Sequence, residues 1–201
     1  VEKFISKHRL LAPGDKVLVA LSGGADSVAL LVALQKLNYC CEAIHCNFHL
    51  RGEESDRDEA FVQQLAADLP LHLQSFDTLS YAKEQGISIE MAARELRYDW
   101  FASLCNEFGY RAVVVAHNAN DNAETLVLNL LRGTGLKGLG GITPKTDRLI
   151  RPMLTVTRQE VLAFLEKEKI SYVTDSSNET DAFLRNRIRH HVMPLLTREN
   201  P

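Results

Sequence analysis

The sequence predicts an α/β fold: a doubly wound, mainly parallel five-stranded sheet with helices on both faces, plus a small helical extension at the C-terminal end. Two observations predict it. Short apolar strands alternate with helical segments along the first 150 residues, an order typical of parallel sheets covered by helices. The strands at 16–21 and 111–116 are apolar at nearly every position, as expected for strands buried on both faces.

Each element has its own local signal. The first strand, at 16–21, follows the turn Pro13-Gly14-Asp15 and precedes a helix at 28–37 that is rich in Leu, Val and Ala. Further strands are predicted at 42–47, 71–76 and 111–116, with a short fifth strand near Leu149. Helices are predicted after the charged stretch 51–59 and at 89–108, 121–131, 159–167 and 182–196.

Length and composition limit the class of protein. A chain of 201 residues fits one α/β domain with an appendage, and we expect a main domain at 1–150 and a helical extension at 151–201. Apolar residues make up 45% of the chain, charged residues make up 24%, and the formal net charge is −3. This balance argues against a strongly basic nucleic-acid binder but leaves room for a local basic patch.

The four cysteines, Cys40, Cys41, Cys46 and Cys105, form no Cys-x-x-Cys pair, which argues against a zinc ribbon and a thioredoxin-like site. We expect free thiols in a reducing compartment. No apolar run reaches the length of a membrane span, and the N-terminus lacks the apolar core of a signal peptide. The sequence therefore predicts a cytoplasmic protein with no membrane partner.

The segment Ser22-Gly23-Gly24-Ala25-Asp26-Ser27 joins the first strand to the helix after it. Ligands of open parallel sheets bind at the carboxyl ends of strands, where glycines admit an anion and a helix N-terminus attracts it. The segment lacks the Lys of the GxxxxGK[ST] loop and carries Asp26 instead, so we expect Mg²⁺ between this carboxylate and the phosphates. The alternative is an ordinary turn in which Asp26 or Ser22 caps the helix.

The Ser-Gly-Gly-x-Asp-Ser pattern after the first strand resembles the PP-loop ATP pyrophosphatase superfamily, with its adenine nucleotide alpha hydrolase-like fold. Members of that superfamily adenylate a substrate oxygen and release pyrophosphate. Further stretches, in the same order along residues 16–201, resemble the tRNA(Ile)-lysidine synthetase family in particular. They are 43–51 with 55–59; 90–98, an E-x-A-A-R-x-x-R-Y pattern; 116–125 with 132–139; and Arg151-Pro152 with 175–178 and 185–190.

This resemblance implies a reaction and its participants. With ATP and Mg²⁺, the wobble cytidine of a CAU-anticodon tRNA(Ile) would be adenylated, and free L-lysine would then displace AMP to form lysidine. The main domain at 1–150 would be the ATP-binding catalytic domain, and the extension at 151–201 would begin the tRNA-contacting region. The resemblance also implies a homodimer.

The resemblance further implies roles for individual residues. The ATP-binding residues would be Ser22, Gly23, Gly24, Ala25, Asp26, Ser27, His45 and Asn47. The catalytic residues would be Asp26, Arg94, Arg97, His117 and Asp121, and the metal ligands Asp26 and Asp121. A lysine-binding or lid region would include Glu124, Gly133, Thr134 and Gly135, and tRNA contacts would come from Arg51, Arg185, Arg187 and Arg189.

Most of these roles have a purely structural alternative. Arg94 and Arg97 share a helix face with Glu90, which suits phosphate binding or a solvated, salt-bridged face. Asp121 and Glu124 begin a helix, where acidic residues also favour the macrodipole. The remaining alternatives are a structural histidine at 117, a plain connection at 132–141 and an exposed charged helix at the basic C-terminal end.

Two features depart from the family pattern. The family commonly has His-His-x-Asp-Asp after the fourth strand, whereas this chain has Asn118 and Asn120, which bring no charge to a metal. The chain also stops at Pro201, before the C-terminal tRNA-binding domains usual in the family, so we expect a fragment or a short form. Two alternatives stay open: a tRNA-thiolating PP-loop enzyme, which would be expected to carry paired cysteines, and a non-catalytic nucleotide-binding module.

Overall fold

The computed structural model describes residues 1–175, 180–181 and 183–199. Within these ranges six strands form one sheet in the order β3-β2-β1-β4-β6-β5. The strands are β1 Lys16–Ala20, β2 Cys40–Asn47, β3 Leu71–Ser75, β4 Ala112–Val114, β5 Lys145–Thr146 and β6 Leu149–Ile150. Neighbouring strands are parallel except β5 and β6, which are antiparallel. The predicted mainly parallel α/β architecture is confirmed.

The strand count differs from the predicted five, because β5 is a two-residue strand that the sequence does not mark. Asp147, with φ of 49°, turns the chain so that Lys145 pairs with Ile150 and Thr146 with Leu149. A polar run this short has the composition of a turn, and only pairing with β6 at the edge of the sheet makes it a strand.

Helices cover the sheet between and after these strands. The predicted helix at 89–108 is confirmed with the same bounds, whereas three shorter helices, α1, α4 and α7, are absent from the prediction. Within the described residues the helices are α1 Glu2–His8, α2 Ala25–Lys36, α3 Glu53–Leu65, α4 Thr78–Gln85, α5 Ile89–Phe108, α6 Ala119–Leu131, α7 Gly135–Gly138, α8 Arg158–Glu168, α9 Leu184–Arg187 and α10 Met193–Glu199, with a π-helical segment Ile188–Val192 before α10.

Some predictions concern residues outside the described ranges. Ala182, the predicted start of the C-terminal helix, is one of them, and so are Ser176, Ser177 and Asn178 of the Asp-Ser-Ser-Asn stretch. Near the C-terminal end, the described residues are helical from Leu184 to Glu199. In the part of the chain that the structure describes, no helix combines the length and the apolar character needed to cross a membrane.

The central strand β1 separates two hydrophobic layers, because successive side chains of a strand point to opposite faces. Val17 and Val19 pack with Leu30 of α2 in the larger layer, against which α8 also packs. Leu18 packs with Phe101 of α5 in the smaller layer. Helices therefore cover both faces of the sheet, and the C-terminal ends of the parallel strands β1, β2 and β4 open at one common edge.

Candidate active site at the end of the central strand

The segment Ser22–Ser27 leaves the C-terminal end of β1 and enters α2. Gly24 is the N-cap residue, and no side chain of the described residues caps α2, so neither Asp26 nor Ser22 has the capping role of the alternative interpretation. The two serines bond to each other instead: Ser22 Oγ lies 3.1 Å from Ser27 Oγ, and Ser27 Oγ donates to Gly24 O at 2.9 Å. A helix start without a side-chain cap leaves its first N–H groups for an anionic ligand.

Gly23 fits its position for two reasons. Its φ is +87°, which side chains rarely adopt. A Cβ atom there would also lie 2.9 Å from Val173 Cγ2 and 3.3 Å from Phe61 Cδ1. Val173 N donates to Gly23 O at 2.9 Å, so the segment before Asp175 closes over the loop and holds it against α3.

Two cavities meet at this segment, and Ser22, Asp26 and Ser27 line both of them. The first, which we call the loop cavity, has a volume of about 530 Å³. Its lining comprises Ser22, Gly24, Ala25, Asp26, Ser27, Arg51, Asp58, Asn118, Asn120, Asp121, Glu124, Arg158, Val173, Thr174, Asp175 and Arg189.

The second, which we call the aromatic cavity, has a volume of about 320 Å³ and lies between the strand ends and α5. Its lining comprises Ala20, Leu21, Ser22, Asp26, Ser27, Ile44, His45, Cys46, Phe48, Arg97, Tyr98, Phe101, Val115, Ala116 and His117. One cavity is therefore rich in charge and the other in aromatic and apolar groups, with the loop between them.

The carboxylate of Asp26 lines both cavities. Oδ1 accepts from Asn118 Nδ2 at 3.0 Å, and Oδ2 accepts from Arg158 Nη1 at 2.5 Å. Burial raises the pKa of Asp26 most strongly and the charge of Asp121 adds to this, whereas Arg158 and Asn118 act in the opposite direction. The charged form of Asp26 therefore depends on its two partners.

Asn118 and Asn120, which depart from the family pattern, accept hydrogen bonds at the N-termini of α6 and α8. Asn118 Oδ1 accepts from Asp121 N at 2.9 Å, and Asp121 Oδ2 accepts from Asn118 N at 3.0 Å, which is a capping box at the start of α6. Asn120 Oδ1 accepts from Arg158 N at 2.9 Å and joins α6 to α8. These amides fix the positions of both helices beside the loop.

Glu124 is a buried carboxylate, with 2% of its surface exposed. Its Oε2 accepts from Arg185 Nε at 2.7 Å, and its Oε1 accepts from Arg189 Nε at 2.6 Å. Arg185 Nη2 also donates to Asp121 Oδ1 at 2.9 Å. A buried carboxylate requires such partners, so two of the arginines predicted as tRNA contacts anchor the C-terminal helices to α6.

The other two predicted tRNA contacts differ in position. Arg51 pairs with Asp58 at 2.9 Å and with Asp175 at 2.8 Å on the wall of the loop cavity. Arg187 is exposed, and its Nη1 donates to the carbonyl oxygen of Asp181 at 3.0 Å.

His117 lines the aromatic cavity at the end of β4, and its Nδ1 atom is buried without a hydrogen-bond partner among the described residues. Burial lowers the pKa of His117 to about 4; the charge of Asp121 opposes this shift, and those of Arg151, Arg185 and Arg94 add to it. This lowered pKa favours the neutral imidazole near pH 7.

The remaining predicted residues divide between the cavities and other places. The Arg97 guanidinium lies over the Phe48 ring at 5.1 Å in the aromatic cavity, where His45 Nδ1 is 2.8 Å from Leu21 O. Arg94 lies over the Tyr98 ring at 4.7 Å and lines a different cavity.

Eight predicted residues line neither the loop cavity nor the aromatic cavity: Gly23, Asn47, Arg94, Gly133, Thr134, Gly135, Arg185 and Arg187. Asn47 Nδ2 donates to Glu59 of α3 at 2.8 Å, which holds β2 and α3 together. The three residues at 133–135 follow the C-terminal end of α6, whereas its N-terminal end forms the site.

Arg158 belongs to the site and is absent from the sequence-based predictions. The sequence does contain a signal, because Thr157 and Glu160 form a capping box that fixes Arg158 as the first residue of α8. A cation at that position opposes the helix macrodipole, which suggests a reason other than helix stability.

Among the described residues, no group of three or more His, Cys, Asp or Glu side chains is placed to hold a metal. Asp26 and Asp121 nevertheless offer carboxylate oxygens in one cavity. Mg²⁺ commonly takes one or two protein carboxylates and completes its shell with phosphate oxygens and water, so this pair fits the ion when a phosphate ligand is present.

Comparisons with known proteins agree on the family. The family described as PP-loop domain matches residues 1–196. A protein named tRNA(Ile)-lysidine synthase from Porphyromonas gingivalis is 58% identical over 100% of this chain and 45% of its own length. A protein of the same name from Parabacteroides distasonis is 53% identical over 100% of this chain and 46% of its own length. A third, from Chlorobaculum tepidum, is 43% identical over 94% of this chain and 59% of the relative. The chain thus spans about half the length of the curated relatives it matches.

Solved structures with low sequence identity share the fold. The U34-tRNA thiolase NcsA from Methanococcus maripaludis, with its [4Fe-4S] cluster, gives a TM-score of 0.73 at 19% identity, covering 100% of this chain and 75% of that one. NMN synthetase from Francisella tularensis gives a TM-score of 0.58 at 14% identity, covering 84% of this chain and 68% of that one.

Replacing Gly23 by Ala is expected to destabilise the protein more than the same change at Gly86. Both residues have positive φ, +87° and +63°, so each substitution carries a backbone penalty of about 1 kcal/mol. Only Gly23→Ala adds close contacts, whereas Gly86 has nothing within 4 Å, so the variant should lose about 1–3 kcal/mol more. Urea unfolding measures this difference, and equal losses would contradict the close packing at Gly23.

The stability of the protein is expected to depend on pH through His117. At pH values between 6.5, the pKa of His117 in the unfolded chain, and about 4, its pKa in the folded protein, the His117 imidazole binds a proton in the unfolded chain but not in the folded protein. Stability is therefore lost as pH falls through this window, by up to about 3 kcal/mol. His117→Asn should flatten the pH dependence measured by urea unfolding between pH 7 and pH 4.5, with His8→Asn on exposed α1 as control. An unchanged slope in His117→Asn would contradict the assignment.

Proposed function

The chain belongs to the PP-loop domain family, and from that membership we propose that it uses ATP to activate a base of tRNA. The specific reaction proposed is the joining of lysine to the wobble cytidine of a CAU-anticodon tRNA(Ile), the modification for which the relatives are named. The observation that carries the proposal is the position of the segment Ser22–Ser27 on the wall of both a charged cavity and an aromatic one. ATP, with its charged and aromatic ends, matches that arrangement.

The adenosine of ATP would occupy the aromatic cavity. Phe48, Tyr98 and Phe101 give this cavity the apolar and aromatic lining that suits an adenine ring, and His45 lines the same space. The phosphates would lie against the uncapped N-terminus of α2, with Ser22 and Ser27 as hydroxyl donors. Asp26 and Asp121 would hold Mg²⁺, which when bound neutralises phosphate charge.

The proposed chemistry has two steps with balanced bonds. In the first, O2 of the cytidine attacks the α-phosphorus, the bond to the β-phosphate oxygen breaks, and pyrophosphate leaves. In the second, the ε-ammonium of lysine loses a proton to water, the amine nitrogen attacks C2 of the adenylated cytidine, the C2–O2 bond breaks, and AMP leaves with that oxygen. Neutral His117 would hydrogen-bond the reacting base, while Arg97, in the same cavity, would stabilise the charge that develops on phosphate and base. Arg94 lines a separate cavity, so no contact with the phosphates is proposed for it.

Lysine would approach the carboxylates of the loop cavity. Glu124 and Asp121 hold the guanidinium groups of Arg185 and Arg189, so this part of the cavity already accepts cations. An amine of lysine would pair with Asp121 in exchange for Arg185, since the Asp121 side chain is 20% exposed whereas that of Glu124 is 2% exposed, and this pairing would orient the molecule for attack. For tRNA, exposed Arg187 is the proposed phosphate contact among the four predicted arginines.

The thiolating alternative is less consistent with the cysteines. Cys46 lines the aromatic cavity, but burial raises the pKa of its thiol to about 12. Cys105 belongs to α5 and is buried in the smaller hydrophobic layer, and burial raises the pKa of its thiol as well. A nucleophilic cysteine needs a lowered pKa, so neither thiol suits a sulfur-transfer step.

Labelled lysine is expected to enter a CAU-anticodon tRNA(Ile) in the presence of ATP, and Asp26→Ala should reduce this incorporation by about 100-fold or more, because it removes a carboxylate that is proposed to hold Mg²⁺ at the phosphates. The matched control is Asp68→Ala, which changes an exposed aspartate outside both cavities. The assay should use the longest natural form of the chain, with the melting temperature as a check of folding.

Other outcomes separate the alternatives. Incorporation that is unaffected by Asp26→Ala would contradict the role of the loop. Pyrophosphate release stimulated by tRNA without lysine incorporation would retain adenylation but reject lysine as the nucleophile. ATP binding with neither signal would favour the non-catalytic nucleotide-binding module.

A further inference from the structure

We propose that Arg158 is a pyrophosphate-binding residue, which pairs with Asp26 when the site holds no nucleotide and turns to the β- and γ-phosphates when ATP binds. The inference rests on the proposed function and extends it, because it assigns a cation of the protein itself to the leaving group. Neither the sequence patterns quoted above nor the names of the relatives assign this residue a role.

The first support is the position of Arg158 in its helix. It is the first residue of α8, directly after the N-cap Thr157, and its backbone N donates to Asn120 Oδ1 at 2.9 Å. The positive end of a helix disfavours a cation. Because the capping box already completes the helix start, the guanidinium is not needed to stabilise α8.

The second support is where the side chain lies. The guanidinium lines the loop cavity together with Ser22, Gly24 and Ser27, the residues around the uncapped start of α2. The side chain is 41% exposed, so solvent or a ligand reaches it. Among the described residues its guanidinium bonds only to Asp26, although arginine has five N–H donors in a fork that matches phosphate.

The third support is the charge around Asp26. A carboxylate beside a phosphate site repels the ligand unless a cation compensates it. Asn118 and Asn120 are neutral, and Arg189 uses Nε and Nη2 on Glu124, at 2.6 and 3.0 Å. Among the described residues Arg158 is the cation in contact with Asp26, so a rotation of its side chain would carry the guanidinium from this carboxylate to a phosphate in the same cavity.

Pyrophosphate binding tests the inference directly. Affinity is measured by titration calorimetry in buffer with EDTA, so that the protein supplies the only compensating cation. Arg158→Gln should weaken pyrophosphate binding by at least tenfold, and Arg158→Lys should restore part of it. The control is Arg111→Gln, which removes an exposed arginine near Asp15 at the opposite edge of the sheet. Thermal unfolding shows whether each variant is folded.

A second variant separates phosphate binding from a structural role. In the Asp26→Asn background no carboxylate is left for Arg158 to neutralise, so a guanidinium that binds the phosphates directly predicts that Arg158→Gln still weakens pyrophosphate binding there. A guanidinium that only neutralises Asp26 predicts no effect of Arg158→Gln in that background.

The inference is overturned if Arg158→Gln binds pyrophosphate as the wild type does, if Arg158→Gln has no effect in the Asp26→Asn background, or if the wild type shows no pyrophosphate affinity. Lysine incorporation by the wild type, measured alongside, keeps the two proposals distinct. If incorporation occurs and any of these results is found, only the role of Arg158 falls, whereas the absence of incorporation and of tRNA-stimulated pyrophosphate release rejects the proposed function itself.

Discussion

The compensation of one partly buried carboxylate, that of Asp26, organises the site. Burial disfavours its charge, and the partners that restore it come from two other helices: Asn118 at the start of α6 and Arg158 at the start of α8. Three helix N-termini therefore meet at the end of β1. The same requirement recurs at Glu124, whose charge is met by Arg185 and Arg189 from the C-terminal helices.

These ion pairs explain how a chain with a net charge of −3 could form the proposed site for an anion. The carboxylates of the loop cavity are paired with guanidinium groups, so the uncapped start of α2 is not surrounded by free negative charge. Each guanidinium is also a group that phosphate binds well. In the proposed function, these pairs would exchange partners when a charged ligand enters.

Much of the fold could be predicted because its signals are local. The apolar strands, the Ser-Gly-Gly-Ala-Asp-Ser turn and the helix at 89–108 are each encoded within a few neighbouring residues. β5 could not be predicted, because two polar residues become a strand only by pairing with β6. The ion pair of Arg158 with Asp26 joins residues 132 positions apart, and that of Arg185 with Asp121 joins residues 64 positions apart. No local sequence pattern can predict contacts over such separations. Asn47 is the opposite case, a residue predicted at the site that lies outside it: its amide donates to Glu59, and it lines neither cavity.

The central claim is that this loop directs cleavage of ATP between the α- and β-phosphates, and the products of ATP consumption test it most directly. The measurement is chromatography of ATP labelled in the α-phosphate after incubation with the longest natural form of the chain, lysine and a CAU-anticodon tRNA(Ile). The account predicts labelled AMP and an equal amount of pyrophosphate, both dependent on the tRNA. Labelled ADP with inorganic phosphate, or consumption of ATP that is indifferent to tRNA, would contradict it.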